Sequence, residues 1–248
     1  MTERTLHPVE GEVFFIDKPL GWTSFDAVKR LRGRIHERLR IRNLKVGHAG
    51  TLDPLATGVL IVCTGKMTKQ IDTLQGGVKE YVAQITLGAT TPSFDLETPI
   101  NATFPWEHIT QELVEQTLTK FVGSIEQVPP AFSACKVNGR RAYKDARKGK
   151  EVELKAKTLV IDEIELIKCE LPVIEVRIVC SKGTYIRALA RDIGEALGSG
   201  AHLTALRRTR VGNVSVEQCY SVETLLNMLT TAPMELPEVL PEGKITRI

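Results

Sequence analysis

The chain has 248 residues, of which 42% are hydrophobic and 25% charged, and its formal net charge at pH 7 is +3. This composition is typical of a globular protein long enough to bury a full core. The first residues lack an apolar stretch of signal-peptide length, and no later apolar run approaches membrane-spanning length. We therefore expect a cytoplasmic protein with no membrane partner.

The N-terminal region predicts a short apolar strand followed by a basic amphipathic helix. A turn is expected at Pro19 and Gly21, and either Thr23 or Ser24 can cap the helix. Apolar residues then recur at helical spacing, which leaves the arginines on the opposite face. The predicted buried positions are Phe25, Val28, Leu31, Ile35 and Leu39.

Residues 47–60, GHAGTLDPLATGVL, hold a single acidic residue, Asp53. An Asp-Pro pair commonly begins a helix, with the carboxylate as its cap, and this is one interpretation of Asp53. The other is a reactive group, because Gly47, Gly50 and Gly58 permit unusual backbone geometry and an apolar stretch follows directly. A carboxylate on such a turn could act as a nucleophile or general base without a metal.

Two later segments alternate as strands, and a third predicts a helix. YVAQITLG and VIEVRIVC alternate between apolar and other residues, and the second places Glu175 and Arg177 opposite Val176 and Ile178. GTYIRALARDIGEALG predicts a helix that ends at Gly198. Its predicted buried positions are Ile186, Leu189, Ile193 and Leu197.

These elements indicate an α+β protein with one domain over residues 10–213. A short acidic segment follows over residues 214–248, where five acidic residues face two basic ones. The five cysteines are odd in number and widely spaced, and none forms a CxxC pair. We therefore expect reduced thiols and no bound metal.

Positive charge concentrates in three segments of the chain. Residues 29–45 carry eight Lys or Arg against one acid, residues 136–150 carry seven against one, and the stretch LRRTRVG adds Arg207, Arg208 and Arg210. Basic segments that are distant in sequence can converge into a surface that binds a polyanion. For one segment alone a solvated face is the favoured interpretation, and three segments together make a nucleic-acid groove about equally plausible. A nucleic-acid groove and separate solvated faces both stay open on charge alone.

Six segments, taken in order, resemble the TruB family of pseudouridine synthases, which isomerise a uridine in the T-loop of tRNA. GHAGTLDPLATGVL resembles the family's catalytic motif, and the others are DKPLGWTSFDAV, KEYVAQITLG, VPPAFSACKVNGRRAY, SKGTYIRALARDIGEAL and LRRTRVG. Six motifs in order are far more specific than one glycine-rich turn. The resemblance implies a pseudouridine synthase fold, a central mixed and largely antiparallel sheet flanked by helices and RNA-binding loops.

The resemblance assigns catalytic roles to three residues. Asp53 would attack the target nucleotide, position 55 of tRNA, through either the sugar or the base. Tyr81 would stack on the target base and could take part in proton transfer, and Arg187 would pair with the catalytic aspartate and keep it ionised. From the residues alone, Tyr81 is also explained as a cross-strand aromatic and Arg187 as an exposed helix arginine. The isomerisation changes no oxidation state, so no cofactor is expected.

Eight further residues are implied to bind the substrate. His48 would enter the T-loop stack beside the flipped nucleotide, although a turn histidine bonded to backbone explains it equally well. Lys18, with Pro19, would shape the floor of the site, and Tyr185 and Leu206 would line the uracil pocket. The loop GRRAYKDARKG would close on RNA, with phosphate contacts from Arg140, Arg141, Lys144 and Lys148.

The chain departs from the family pattern in two places. The family usually shows Thr-x-Thr-x-Asp-x-x-Gly after ITLG, whereas this chain keeps Asp95 but has Thr98 at the glycine position. Longer members also carry a C-terminal PUA domain, for which the residues after Asn213 are too few. We therefore expect a monomer that recognises tRNA mainly through its T-arm. The alternative function is a non-catalytic RNA-binding or tRNA-folding module, which would not need Asp53, Tyr81 and Arg187 together.

Overall fold

Strands provide most of the regular structure in the computed structural model, which describes residues 4–133, 135–137, 139–238 and 245–247. The strands are β1 Val13–Lys18, β2 Ile41–Arg42, β3 Val46–Ala49, β4 Ala56–Thr64, β5 Lys79–Leu87, β6 Ala89–Thr90, β7 Ala102–Thr103, β8 Gly123–Gln127, β9 Lys136–Val137, β10 Arg140–Arg141, β11 Lys157–Glu170, β12 Val173–Cys180, β13 Ala201–Val211, β14 Val214–Ser215, β15 Tyr220–Ser221 and β16 Thr246–Arg247. The helices are α1 Ser24–Leu39, α2 Ile71–Leu74, α3 Gln111–Thr119, α4 Ala142–Ala146, α5 Ile186–Ala196 and α6 Val222–Thr231, with short 3-10 helices at Gly65–Gln70 and Val216–Gln218.

The chain divides into two compact units. The first unit combines the residues up to Gly77 with those from Arg208 onward, and the second unit is Val78–Arg207. Strand β13 contributes residues to both units. The first unit is therefore built from two stretches of chain that are separated in sequence by the whole second unit.

In the first unit, β4 is flanked by antiparallel partners and is buried at all but one of its residues. It pairs with β1 and with β3, and the pairing with β3 sets His48 opposite Val62. Strand β1 pairs in parallel with β15, so the sheet is mixed. The core on this sheet combines side chains of β1, β4, α1 and α6, and it is represented by Ile16, Leu60, Leu31 and Leu225. Residues 56–64 are thus a well-anchored base for the turn that precedes them.

Helix α1 confirms the predicted cap and most of the predicted buried stripe. The Thr23 side chain accepts from the Asp26 amide, and the Asp26 carboxylate accepts from the Thr23 amide, which is a capping box. The apolar positions from Val28 to Ile35 are buried as expected. The predictions for Phe25 and Leu39 are wrong, because Phe25 is 58% exposed and Leu39 is only half-buried. The buried stripe passes through Ser24 and Ala27 instead, and Phe25 lies in the first turn beside that stripe.

The second unit is an antiparallel sheet with its core against α5 and α3. The strand order is β13, β5, β12, β11 and β8, and all pairs that involve β11 or β12 are antiparallel. The predicted alternation of β12 is confirmed, since Val176 and Ile178 are buried. The four predicted α5 positions are also buried, and Gly198, with φ +69°, follows the end of this helix. Sheet and helices together confirm the predicted α+β class.

The C-terminal residues that the structure describes contribute to the first unit. Val222, Leu225 and Leu229 of α6 are buried in the same core as α1. Residues 239–244 and 248 of the predicted acidic segment lie outside the described residues. No helix within the described ranges is long and apolar enough to cross a membrane. The predicted domain division at residue 213 stays a prediction.

Candidate active site

Asp53 lies in the turn that leads directly into β4. The Asp53 carbonyl accepts a hydrogen bond from the Ala56 amide at 3.1 Å, and residues 54–55 form a turn before the strand begins. The interpretation of the Asp-Pro pair as a helix start is therefore wrong. The carboxylate is half-buried and lies at the mouth of a buried strand.

The first residue of α1 and the segment before this helix hold the turn through hydrogen bonds. The Ser24 hydroxyl donates to the Leu52 carbonyl at 3.0 Å and lies 2.8 Å from the Leu52 amide, for which it is the acceptor. The Gly21 amide donates to the Pro54 carbonyl at 2.8 Å. Both residues that precede and follow Asp53 are thus bonded to the same short stretch of chain. Two of the six family-like segments, DKPLGWTSFDAV and the turn itself, form one bonded structure.

Gly58 explains why a glycine is required just after the turn. Its φ is +103°, and a Cβ atom at this position would lie 2.1 Å from the Arg208 carbonyl oxygen. Side chains rarely adopt that backbone conformation, and the space is occupied by backbone. The Arg208 backbone can therefore approach β4 closely only because residue 58 has no side chain.

Arg208 is buried beneath the turn, with 2% of its surface exposed. Its Nε donates to the Val59 carbonyl at 2.8 Å, Nη2 to the Gly50 carbonyl at 3.2 Å and Nη1 to the Thr51 carbonyl at 3.4 Å. The interpretation of this arginine as part of an RNA-binding basic surface is therefore wrong. Sequence reasoning grouped it with Arg207 and Arg210, and the carbonyl of Val59 lies 149 positions earlier in the chain. The sequence indicates the close approach of Arg208 only through the glycine at position 58.

Lys18 is fully buried at the end of β1. Its Nζ donates to the Pro19 carbonyl at 2.9 Å and to the Trp22 carbonyl at 2.6 Å. Burial lowers the pKa of Lys18 to about 8, and the positive charge of Arg208 lowers it further, whereas the negative charge of Asp53 raises it. Lys18 is thus charged at neutral pH and interacts electrostatically with Asp53.

His48 lies on β3 with a neutral imidazole at neutral pH. Burial lowers its pKa, the charge of Arg208 adds to this effect, and a hydrogen bond to the Gly50 backbone opposes it. Its Nδ1 atom is buried and has no hydrogen-bond partner among the described residues. The ring is therefore an uncharged aromatic surface with one unused polar atom.

Three predicted site residues of the second unit lie on β5, at the start of α5 and on β13. Tyr81 is 8% exposed and is paired in register with Ile178 of β12. Tyr185 occupies the N-cap position of α5, and its hydroxyl lies 3.3 Å from the Cys135 sulfur. The side chain of Leu206 packs at the border of the core. The structure places each of them, and their roles stay predictions.

Arg187 lies in the first turn of α5 and is 4% exposed, so its interpretation as an exposed helix arginine is wrong. Its Nε lies 3.5 Å from the Asp95 carboxylate. Its Nη1 donates to the Ser93 carbonyl at 3.1 Å and its Nη2 to the Phe132 carbonyl at 3.0 Å. The predicted pairing of Arg187 with Asp53 stays a prediction.

The loop that holds Asp95 gives Thr98 a structural role. The Ser93 amide donates to the Thr98 hydroxyl at 3.1 Å, and the Thr98 amide donates to the Ser93 hydroxyl at 3.2 Å. These reciprocal bonds close the loop around Asp95. The departure from the family glycine therefore replaces backbone freedom with a side-chain bond.

The basic loop predicted to contact RNA forms a small hairpin, β9 with β10, followed by α4. The side chains of Arg140, Arg141, Lys144 and Lys148 are all exposed. Arg147 differs, since its Nε donates to the Glu97 carboxylate at 3.1 Å. Within the described residues no group of three or more His, Cys, Asp or Glu side chains could hold a metal ion.

The sequence was compared with protein families and with known proteins. The model of the TruB family pseudouridylate synthase N-terminal domain matches residues 37–186, and that of the tRNA pseudouridylate synthase B C-terminal domain matches residues 187–240. The tRNA pseudouridine synthase B of Phocaeicola vulgatus is 64% identical over 94% of this chain and 98% of its own length. The protein of the same name from Bacteroides fragilis is 70% identical over 85% of this chain and 90% of its own length.

The fold has a counterpart among solved structures. A chain in the crystal structure of a Cbf5-Nop10-Gar1 complex matches with a TM-score of 0.66 and 28% identity. The match covers 91% of this chain and 60% of that chain, so this chain spans about three fifths of its length. The family models and the relatives agree with the family that the six segments resemble. The chain belongs to the TruB family of pseudouridylate synthases.

Proposed function

We propose that this protein is a tRNA pseudouridine synthase that converts the T-loop uridine at position 55 into pseudouridine, with Asp53 as the nucleophile. The observation that carries the proposal is the half-buried carboxylate on a turn fixed by Ser24, Gly21 and Arg208. Relatives that are 64% and 70% identical are named tRNA pseudouridine synthase B, which supports tRNA as the substrate class.

Uridine and pseudouridine are isomers, so the reaction exchanges bonds without a net gain or loss of atoms. The bond between N1 and C1′ breaks, the uracil turns, and a bond forms between C5 and C1′. A proton leaves C5 and a proton is added at N1. The Asp53 carboxylate forms a temporary bond to C1′ or to C6 and is released again before the product leaves. A carboxylate suits this role because it can both attack and depart.

The first-unit residues around Asp53 would keep it ready for this attack. The charge of Lys18 interacts favourably with the Asp53 carboxylate, which favours its ionised form. Lys18 is itself bonded to two backbone carbonyls, so we infer that it orients rather than reacts. The neutral ring of His48 can stack on a base at low desolvation cost, in place of the neighbour that the extruded uridine loses.

The second-unit residues would hold the base and the RNA. Tyr81, Tyr185 and Leu206 offer aromatic and apolar surface for uracil, and Arg187 would keep the aspartate ionised. The exposed charges at 140, 141, 144 and 148 suit contacts with phosphates. We further propose that the protein acts in the cytoplasm as a monomer and recognises the T-arm.

The test measures pseudouridine formation on an unmodified tRNA transcript without added cofactor or metal. We expect product from the native protein and a rate at least about 1,000-fold lower from Asp53→Asn, as for the loss of other catalytic nucleophiles. Asp72→Asn makes the same chemical change at an exposed position and should keep the native rate.

Two outcomes would contradict the proposal. Equal product from the native protein and Asp53→Asn would remove Asp53 from the chemistry. Tight tRNA binding with no product from the native protein would favour the alternative of a tRNA-folding module.

A further inference from the structure

We propose that Arg208 is a positioning residue for Asp53, because its buried guanidinium fixes the backbone of the turn on both sides of the carboxylate. This inference rests on the proposed function, since it assigns Arg208 a part in the reaction of Asp53. Arg208 would not touch the substrate and would act only through the turn.

The three carbonyls that Arg208 binds lie on both sides of Asp53 in the chain. Gly50 and Thr51 precede Asp53 by three and two positions, and Val59 follows it on β4. One side chain therefore joins the entry of the turn to the strand that the turn enters. A carboxylate that must meet a reacting carbon needs such control, because a misplacement of about 1 Å can reduce a rate about 100-fold.

The geometry of the Arg208 guanidinium suits three carbonyl acceptors. Its donors are arranged in a rigid plane, so they can bind three carbonyls at fixed relative positions. Lysine presents a single ammonium and cannot reproduce this pattern. Because Arg208 is 2% exposed, water has little access to replace the lost bonds. The site therefore distinguishes arginine from lysine by geometry, although both carry the same charge.

The Arg208 backbone is held in a fixed position beside β4. It lies so close to Gly58 that any side chain at 58 would collide with it. The Arg208 side chain therefore begins at a fixed backbone position on β13. The base of the side chain and its tip are both held by the turn and by the start of β4.

The charge of Arg208 also acts on two other residues of the site, Lys18 and His48. It lowers the pKa of Lys18 and that of His48. The pKa of His48 is therefore a reporter of the position of the guanidinium charge. The imidazole can be followed by NMR in the intact protein without substrate.

The experiment compares Arg208→Lys and Arg208→Gln with the native protein and with Arg177→Lys. Arg177 binds glutamates on the surface of the second unit, so its substitution is the same chemical change at a position outside the site. The measurements are the single-turnover rate at saturating tRNA, the dissociation constant for tRNA, the urea unfolding midpoint and the pKa of His48.

We expect Arg208→Lys to remain folded and to bind tRNA as the native protein does, while its single-turnover rate falls about 100-fold. The pKa of His48 should rise in Arg208→Gln, which lacks the charge, more than in Arg208→Lys, which retains it. Arg177→Lys should have the native rate. This pattern would separate the placement of the turn from the charge beneath it.

Three results would overturn the inference. The first is a native rate in Arg208→Lys. The second is loss of tRNA binding in proportion to loss of rate, which would indicate a binding role. The third is failure of both variants to fold, which would indicate a purely structural role. An inactive native protein would instead contradict the proposed function. Asp53→Asn removes the nucleophile and leaves the Arg208 bonds in place, so its rate reports on Asp53 separately from Arg208.

Discussion

The turn that carries Asp53 and the basic segment over residues 136–150 are both short connections that contain glycine, but they are held in different ways. The turn is bonded to Gly21, Ser24 and the buried Arg208. The basic segment has a hairpin with two residues in each strand and a helix of five residues, and its predicted phosphate ligands are exposed. The turn has a fixed backbone, whereas the basic segment has accessible charge.

The difference follows from the task proposed for each region. A nucleophile must approach one carbon atom, so small displacements of its backbone reduce the rate. Contacts with phosphates tolerate more variation, because the attraction acts over several ångströms and carries no base sequence information. Substitutions that perturb backbone should therefore be severe in the turn and mild in the basic segment.

The strongest test of this comparison is the same substitution in both regions. Gly58→Ala should lower the free energy of unfolding by about 4 kcal/mol or more, because the new methyl group would collide with the Arg208 backbone and φ is +103°. Gly139→Ala also meets a positive φ, +78°, but apart from its chain neighbours no atom of the described residues lies within 4 Å of the added Cβ, so the cost should be about 1 kcal/mol. Urea unfolding measures both. Equal costs would contradict the contrast between the regions.

A second test uses the buried lysine beside the turn. The pKa of Lys18 is about 8 in the folded protein, and in the unfolded chain it has the ordinary value of 10.5. Below pH 8 both states bind the proton, and between pH 8 and 10.5 the unfolded state binds more. The contribution of Lys18 to stability should therefore rise with pH across this window, by about 3 kcal/mol.

The measurement compares urea unfolding of the native protein and of Lys18→Met from pH 7.5 to 10.5. The difference between them is needed because Cys63 and Cys180, whose pKa values are raised to about 11, contribute in the opposite direction. Lys144→Met, at an exposed position of the basic segment, provides the control. A native protein and Lys18→Met that respond identically to pH would show that burial does not perturb Lys18.

A third test examines the charge of the basic segment. Replacing Arg140, Arg141, Lys144 and Lys148 with glutamine should weaken tRNA binding about tenfold or more and reduce the slope of log affinity against log salt by about 3. The single-turnover rate at saturating tRNA should not change. Lys120→Gln removes an exposed charge outside the three basic segments and should leave the slope unaltered. A lower rate at saturation would instead place this segment in the chemistry.

Sequence reasoning succeeded where the cause of structure is local. The capping box joins Thr23 to Asp26, three positions away, and Gly198 directly follows the last turn of α5. The alternation of β12 reflects the two faces of one strand. In each case the residues that decide the structure are close together in the chain.

The same reasoning failed where distant residues decide. The Asp-Pro pair has the local pattern of a helix start, but bonds from Gly21 and Ser24 to the turn, and from Arg208 to its carbonyls, favour another backbone path. Arg187 and Arg208 both resemble surface arginines, and burial became visible only with the carbonyls that they bind. Phe25 was wrongly predicted to be buried, because helical spacing alone does not fix the direction of the buried stripe.

The division of the first unit has a consequence for the order of events on the ribosome. Arg208 and the residues of β13 that follow it are synthesised after the entire second unit, whereas the turn that Arg208 binds is synthesised early. At about 5 to 20 residues per second, about 8 to 30 seconds separate Asp53 from Arg208. A nascent chain that has exposed the Asp53 carboxylate therefore still lacks the bonds from Arg208 to its turn. With Asp53 as the proposed nucleophile and Arg208 as its proposed positioning residue, we expect activity toward RNA to begin only in the late part of translation.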